Sequence, residues 1–471
     1  MSAVHKNVLL INPWITDFVA YDFWLKPLGL LHVGSVLKQN GYSVYLLDCM
    51  DRFHLSAPVS QRKSKPDGTG KFYKDIIPKP GILEHVPRRY GRYGLPKDIV
   101  IRELKKISVP DVIFITSGMT YWYLGVYEMI ETVKNLFPNT PVVLGGIYAT
   151  LCTEHAEKYS GADYVIKGRG EIQGLKIADE LTGTVRPAGF YDSVDDTPFP
   201  AYDLYKELPS AAVITSRGCP YSCPFCASKI LEPHYTRQDP EKSADQIIRL
   251  ANEFGTKHIA FYDDALLLEK EKYFIPMLEK INNFNLNISF HTPNGLQPSQ
   301  IDKSVAMLMK RAGFKTIRLS YETINPEWQK IMKKVVDSDI VNAVSNLLEA
   351  GFDRKQIGAY IMMGLPWQKP KEVAESMIFI LQQGIKVSLA AFSPIHGTKL
   401  FSEMVEENII NKDIDPLLTN NSIFPTTRYG MQREDFITLG TASAEANTLI
   451  NNNLNPLENR SWVKKIEKII K

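Results

Sequence analysis

Residues 211–228 read AAVITSRGCPYSCPFCAS, a short apolar run followed by a loop that holds three of the chain's five cysteines. Cys219, Cys223 and Cys226 are spaced C-x-x-x-C-x-x-C on that loop. Thiolates bind zinc and iron–sulfur clusters, and a structural zinc site takes four protein ligands. No fourth Cys or His lies at suitable spacing. Three Cys ligands on a 4Fe-4S cluster leave one iron open to a small molecule, and the position of the loop directly after a strand agrees with that use.

Downstream of the loop the chain alternates regularly. "HIAFYDD", "NISFHTPNG", "TIRLSYET", "IGAYIMMGLP" and "VSLAAFSPIHGT" read as strands, each followed by a helical segment such as "KSVAMLMKRAG" or "DIVNAVSNLLEAG". With the strand at 211 they make six strand–helix units, which predicts an open partial (β/α)6 barrel over residues 211–405 rather than a closed eight-stranded one. The active site of such a barrel lies at the C-terminal ends of its strands. Upstream, "KNVLLIN", "SVYLLD", "DVIFITSG", "PVVLGG" and "ADYVIKG" alternate with helices, and "LGLLHVGSVLKQNGY" ends at Gly41. Strands apolar nearly throughout predict a doubly wound parallel sheet over residues 1–183, so the fold class is α/β in both halves. Residues 51–100 interrupt that sheet with a basic, tyrosine-rich run, read as a lid or a poorly ordered excursion, whose Lys and Arg fit either contact with an anionic group or a solvated basic surface loop. Residues 184–210 have linker composition, and 406–471 read as a small accessory region.

The chain has 471 residues, 44% of them hydrophobic, and a formal net charge of +3. That balance gives no general reason to expect nucleic acid. The cysteines are too few for a disulfide framework. No run of roughly 18 apolar residues and no leader pattern appear, so the expectation is a cytoplasmic protein without a membrane span.

The cysteine triplet, with Phe225 before its last member, resembles the signature of the radical S-adenosylmethionine (SAM) superfamily. The phrases "FYDDALLL", "SYET", "MMGLPWQKPKEV" and "FSPIHGTKLF" at later strand ends fit the same resemblance. It implies that the open iron binds SAM and that the reduced cluster cleaves it to a 5'-deoxyadenosyl radical, with an external flavodoxin or ferredoxin as electron donor. Asp263 and Asp264 would lie near the SAM amino group as catalytic-site residues, and Glu322 near the ribose or methionine portion. Gly364, Pro394 and Ile395 would border the adenine. The alternatives are a helix cap for the Asp pair and a simple turn for "GLP". His291, at a strand end facing the radical, is a candidate for substrate binding or proton transfer, with a hydrogen-bonded structural His as the alternative.

The preceding domain resembles the cobalamin-binding domain found ahead of many radical SAM barrels, on "INPW", "TSGMT", "LGGIYATLCTEHA", "DYVIKGRGE" and the linker phrase "TPFPAYDLY". The implied cobalamin contacts are Asn12, Thr116, Ser117, Met119, Thr120, Gly145, Gly146, Tyr148, Thr150, Gly168 and Glu171. The D-x-H-x-x-G signature is absent, so a bound cobalt would lack that histidine. Tyr121, Trp122, Tyr123 and Tyr148 stand in loops expected to face the corrin, where they either stack beside the ring or fill its pocket. Cys49 and Cys152 read as small buried hydrophobes. The activity implied is methylation of an unactivated carbon of a small-molecule or peptide substrate. Two alternatives stand: cyclisation, rearrangement or hydrogen abstraction with a degenerate cobalamin domain, and a non-catalytic sensor. Substrate recognition is expected to draw on 51–100 and the C-terminal region.

Overall fold

The computed structural model describes residues 6–186, 197–427 and 429–470. In the first half, five strands form one parallel sheet: β1 (Asn7–Asn12), β2 (Ser43–Asp48), β3 (Val112–Ile115), β4 (Val142–Leu144) and β5 (Tyr164–Val165), in the order β5-β4-β3-β1-β2. Alternation along β1 explains its unbroken apolar sequence. Val8 and Leu10 pack with Val33, Val36 and Phe114 on one face, while Leu9 and Ile11 pack with Ile113, Ile115 and Met129 on the other. Order reverses between β1 and β3, which opens a crevice beyond their carboxyl ends, the usual ligand position in such sheets.

In the second half, β6 (Ser210–Val213), β7 (His258–Phe261), β8 (Ser289–His291), β9 (Phe314–Glu322), β10 (Ile357–Met363) and β11 (Lys386–Ala391) lie side by side in sequence order, all parallel. This is the six-stranded open arc that the periodicity predicts. Ile259, Phe261, Phe290, Ile317, Leu319 and Ile361 face the covering helices. The alternate positions, among them Ala260, His291, Arg318 and Tyr360, face the inside of the arc.

Two regions differ from expectation. The run 51–100 is neither structureless nor a free lid. Gly70–Lys71 pairs with Tyr21–Asp22, and Gly91–Tyr93 pairs with both Ile15–Asp17 and Lys74–Ile76. Arg52, 1% exposed, organises it by donating to Asp22 Oδ2 at 2.7 Å and to the carbonyls of Lys63 and Gly68. The cation at its centre therefore serves the loop itself rather than an anionic ligand. The run and the loop before it press into the barrel, where Trp24 stacks on His291 at 4.0 Å between ring centroids and Gly68 lies against His258. The last residues also join the barrel: Phe436, Leu439, Ala446, Trp462 and Ile466, on helices Arg433–Asn451 and Arg460–Ile470, belong to its core. The weak periodicity of 406–471 gives no sign of that contribution. Of the linker, 187–196 lie outside the described residues. Its Tyr205 donates to Asp48 Oδ2 at 2.6 Å, tying the barrel's approach to the end of β2. Among the described residues no helix is long and apolar enough to cross a membrane.

Candidate functional site

The three-cysteine loop leaves β6 with two anchors. Asp263, at the end of β7, accepts from Thr215 N and Oγ1 (3.0 and 2.8 Å) and from Ser216 N and Oγ (2.6 and 2.7 Å), all on Oδ1. Gly218 then turns the chain at φ +76°, where a Cβ would stand 2.7 Å from the His234 carbonyl oxygen. Beyond it Cys219, Cys223 and Cys226 line a cavity of about 590 Å³ together with Phe225, Asp264, Glu322 and Lys334. Among the described residues no three ligating side chains converge on a single ion. A 4Fe-4S cluster takes one thiolate per iron, and these three thiols share one cavity wall. Burial pushes the Cys223 thiol up to about 11, so iron would displace protons as it binds. The donor set therefore fits a 4Fe-4S cluster.

Glu322 sits where β9 loses register with β10, in the left-handed region at φ +73°. Its Oε1 is 3.6 Å from Lys334 Nζ, and the two side chains are 11% and 14% exposed. Burial opposes the charge on Lys334, but Glu322 and the three thiols outweigh it and hold the ammonium above its ordinary range. Lys334 was not among the sequence candidates, since no motif marks it out in "IMKKVVD". The cavity continues inward past Asn294, Tyr360 and Met362.

Asp263 is not in the cavity wall. It is 3% exposed, its Oδ2 has no partner among the described residues, and burial raises it to about 6. Its carboxylate braces the loop, so the site carboxylate of the pair is Asp264. His291 is also off the wall. It is fully buried, bonded to Thr316 Oγ1 and His258 Nδ1 at 3.0 and 3.2 Å, and burial with His258 drives it down to about 3. These bonds agree with the hydrogen-bonded structural reading of His291, and Trp24, from the loop before the insertion, covers its ring face. Gly364 lies against Phe436, with its carbonyl accepting from Thr426. Pro394 and Ile395 fall short of the wall, which Gly397, Thr398 and Lys399 line instead.

A second cavity of about 330 Å³ lies between the doubly wound sheet and the barrel. Thr116, Gly145, Gly146, Thr150, Gly168 and Glu171 line it, as the resemblance implied. Asn12, Ser117, Met119, Thr120 and Tyr148 do not. Asn12 donates to Asp48 Oδ1 and Ser117 to the Gly145 carbonyl. Met119 is 44% exposed and Thr120 is buried off the wall. On helix Ile147–Leu151 one face, Ile147 and Thr150, turns to the cavity, while Tyr148 points away to Tyr127 and His155 at 2.8 and 2.7 Å. Trp122 donates to Asp17 Oδ2 at 2.8 Å and Tyr123 to Asp415. These aromatics therefore neither line nor fill the cavity.

Leu30, Val33, Phe114 and Ile166 give the cavity an apolar slot beside the sheet, and Gly145, Gly146 and Gly168 expose backbone at its rim. His32, also in the wall, is buried, its Nδ1 has no partner among the described residues, and burial, with Arg217 nearby, lowers it to about 4. Small rim residues, a slot and an orphaned polar atom fit a flat ring with a nucleotide tail. Asp264 lines both cavities, so the two adjoin.

A parallel sheet with a ring-and-tail cavity, set against an arc that carries three cysteines, defines a protein of two adjoining cofactor sites. Comparison with known proteins gives the same division. The radical SAM superfamily model matches residues 213–380, and the B12 binding domain model matches residues 94–175. Similar proteins include an uncharacterized methyltransferase, PH0819, of Pyrococcus horikoshii, 27% identical over 352 residues, covering 67% of this chain and 75% of that one. Another is the bacteriochlorophyllide d C-12(1)-methyltransferase of Chlorobaculum tepidum, 25% identical over 326 residues, 63% of this chain and 67% of that one. Among solved structures, the radical SAM methyltransferase TsrM of Kitasatospora setae, with cobalamin and a 4Fe-4S cluster bound, superposes with a TM-score of 0.62 at 17% identity, over 86% of this chain and 75% of that one. The chain therefore carries a radical SAM domain and, ahead of it, a B12-binding domain. Its cofactors are SAM, a 4Fe-4S cluster and cobalamin.

Proposed function

We propose that the chain is a cobalamin-dependent radical SAM methyltransferase acting on an unactivated carbon of a small molecule or peptide. The observation that carries this reading is the shared wall: Asp264 borders both the thiol cavity and the corrin cavity. When bound, the cluster supplies the electron that cleaves SAM, and the corrin supplies a methyl carrier. Cys219, Cys223 and Cys226 hold the cluster. The Lys334 ammonium is matched to the SAM carboxylate, and Asp264 to its amino group. Burial raises the Asp264 carboxyl, so an approaching cation strengthens its ionised form. Phe225 and Met362 shield the cavity from water, which strengthens these charge contacts. Gly145, Gly146, Gly168 and Thr150 let the corrin approach the backbone, and the slot beside Phe114 and Ile166 takes its tail. An external flavodoxin or ferredoxin is the electron donor that this chemistry calls for. Relatives named as methyltransferases support this outcome over cyclisation.

The test is anaerobic incubation of reconstituted protein with SAM, a reductant and hydroxocobalamin. Formation of both 5'-deoxyadenosine and S-adenosylhomocysteine is expected. 5'-Deoxyadenosine without S-adenosylhomocysteine would favour radical chemistry without methyl transfer, and neither product would overturn the reading.

A further inference from the structure

Two residues before Cys219, the chain makes a contact that cofactor binding alone does not explain. Arg217 reaches across the seam and donates from Nη2 to Glu171 Oε1 at 2.6 Å, with the side chains 11% and 5% exposed. Glu171 lies in the first turn of helix Gly170–Thr182, at the end of β5 in the corrin-side domain. The helix N-terminus favours its charge there. Burial pushes its carboxyl up, but Arg217, His32 and Arg169 outweigh that and hold it below the usual range. On the barrel side, Arg217 Nη1 stands 3.5 Å from Glu232 Oε1. Arg217, Glu171 and Glu232 all line the corrin cavity.

The first thiol is thus held from both halves of the molecule. Asp263 grips Ser216 from within the barrel, and Glu171 grips Arg217 from the other domain. A buried ion pair is a poor device for stability alone, because apolar side chains of similar volume do as well or better. What the pair adds is register, since a guanidinium and a carboxylate meet well in few orientations.

We propose that Arg217 and Glu171 form an interdomain latch that fixes the cluster loop against the corrin cavity, so that cobalamin occupancy and cluster position are coupled through this pair. The inference rests on the methyltransferase reading above. Arg217 acts as a positioning residue through the loop it carries.

The experiment uses the reconstituted full chain with hydroxocobalamin as probe. It compares wild type with Glu171→Gln, Arg217→Lys and the exchanged pair Glu171→Arg with Arg217→Glu. Cobalamin affinity is read from visible absorption. Cluster position is read from the microwave-power saturation of the cob(II)alamin EPR signal, with the cluster oxidised and then reduced. Glu171→Gln should weaken cobalamin binding about tenfold and change the relaxation caused by the reduced cluster, the two moving together as coupling requires. Arg217→Lys should fall between Glu171→Gln and wild type, and the exchanged pair should return to within about threefold of wild type. If Glu171→Gln lowers only the melting temperature, with affinity and relaxation at wild-type values, the pair is merely structural and the proposal falls. An exchanged pair as weak as the single variant would also overturn it. Wild type that retains no cobalamin brings down the methyltransferase reading and the latch with it. Wild type that retains cobalamin beside indistinguishable variants brings down the latch alone.

Discussion

Asp263 offers a prediction that needs no substrate. Its Oδ1 accepts four donors from Thr215 and Ser216, and its Oδ2 is buried without a partner among the described residues. Asp263→Ala strands those donors at about 1–3 kcal/mol each before relaxation, and a net loss of about 4 kcal/mol is a reasonable sum for donors that share one site. In a domain of this size that lowers the barrel's melting temperature by roughly 10 °C. Asp263→Asn keeps the accepting oxygen and should stay within about 1 kcal/mol of wild type at pH 7. The pH dependence separates the two forms of the residue. Burial raises Asp263 from 3.8 to about 6, so the folded state holds its proton more tightly than the unfolded chain. The group's contribution is therefore most favourable below pH 4 and falls by about 3 kcal/mol as pH rises through 6. Asp263→Asn should remove that slope. The assay is thermal melting of wild type and both variants from pH 4.5 to 8, with iron content after reconstitution as a second readout. An Asp263→Ala variant that melts within about 2 °C of wild type would refute the bracing role. So would an Asp263→Asn variant that loses SAM binding, because the charge would then belong to the ligand site.

Three further outcomes follow from the geometry. Lys334→Met removes an attraction of about 4–5 kcal/mol at the 3.6 Å separation from Glu322. SAM should bind about tenfold more weakly, and the cluster should reduce at a more negative potential, both read by EPR in a redox titration. Gly218→Ala puts a Cβ 2.7 Å from one carbonyl oxygen and 3.0 Å from another at φ +76°. It should cost about 2–3 kcal/mol and lower iron content on reconstitution. Trp24→Ala deletes a 3%-exposed indole that donates to the Asp67 carbonyl and stacks on His291. A loss of about 3–5 kcal/mol should expose residues 62–71 to limited proteolysis, mapped by mass spectrometry.

Both α/β halves could be read from the chain because strand and helix segments alternate at regular spacing, and the strands of the first sheet are apolar nearly throughout. Cys219, Cys223, Cys226, Phe225, Asp264 and Glu322 share one cavity wall, and the sequence singles them out because they stand at strand ends or on the segments that follow them. Asp263 and Asp264 are adjacent, and sequence alone could not say which points to the cavity. Both lie past the end of β7, where the loop turns Asp263 to Thr215 and Ser216 and leaves Asp264 on the cavity wall. Tyr148 was misplaced for a similar reason, since the short helix after β4 turns it away from the face of Ile147 and Thr150. Lys334, His32 and Arg217 carry no local signal. Their roles come from long-range meetings with Glu322 and Glu171, and from an interdomain wall that no spacing rule encodes. His291 lost its expected position to Trp24, which lies more than 260 residues earlier and reaches it through an insertion whose own order depends on Arg52.

The central claim is that three thiols hold a cluster whose remaining iron is open to SAM. The most direct measurement is the EPR spectrum of the anaerobically reduced protein before and after SAM is added, with Cys223→Ala as control. The account predicts a 4Fe-4S signal that shifts on SAM addition and disappears in the variant. A signal that SAM leaves unchanged, or one that survives the loss of Cys223, would contradict it.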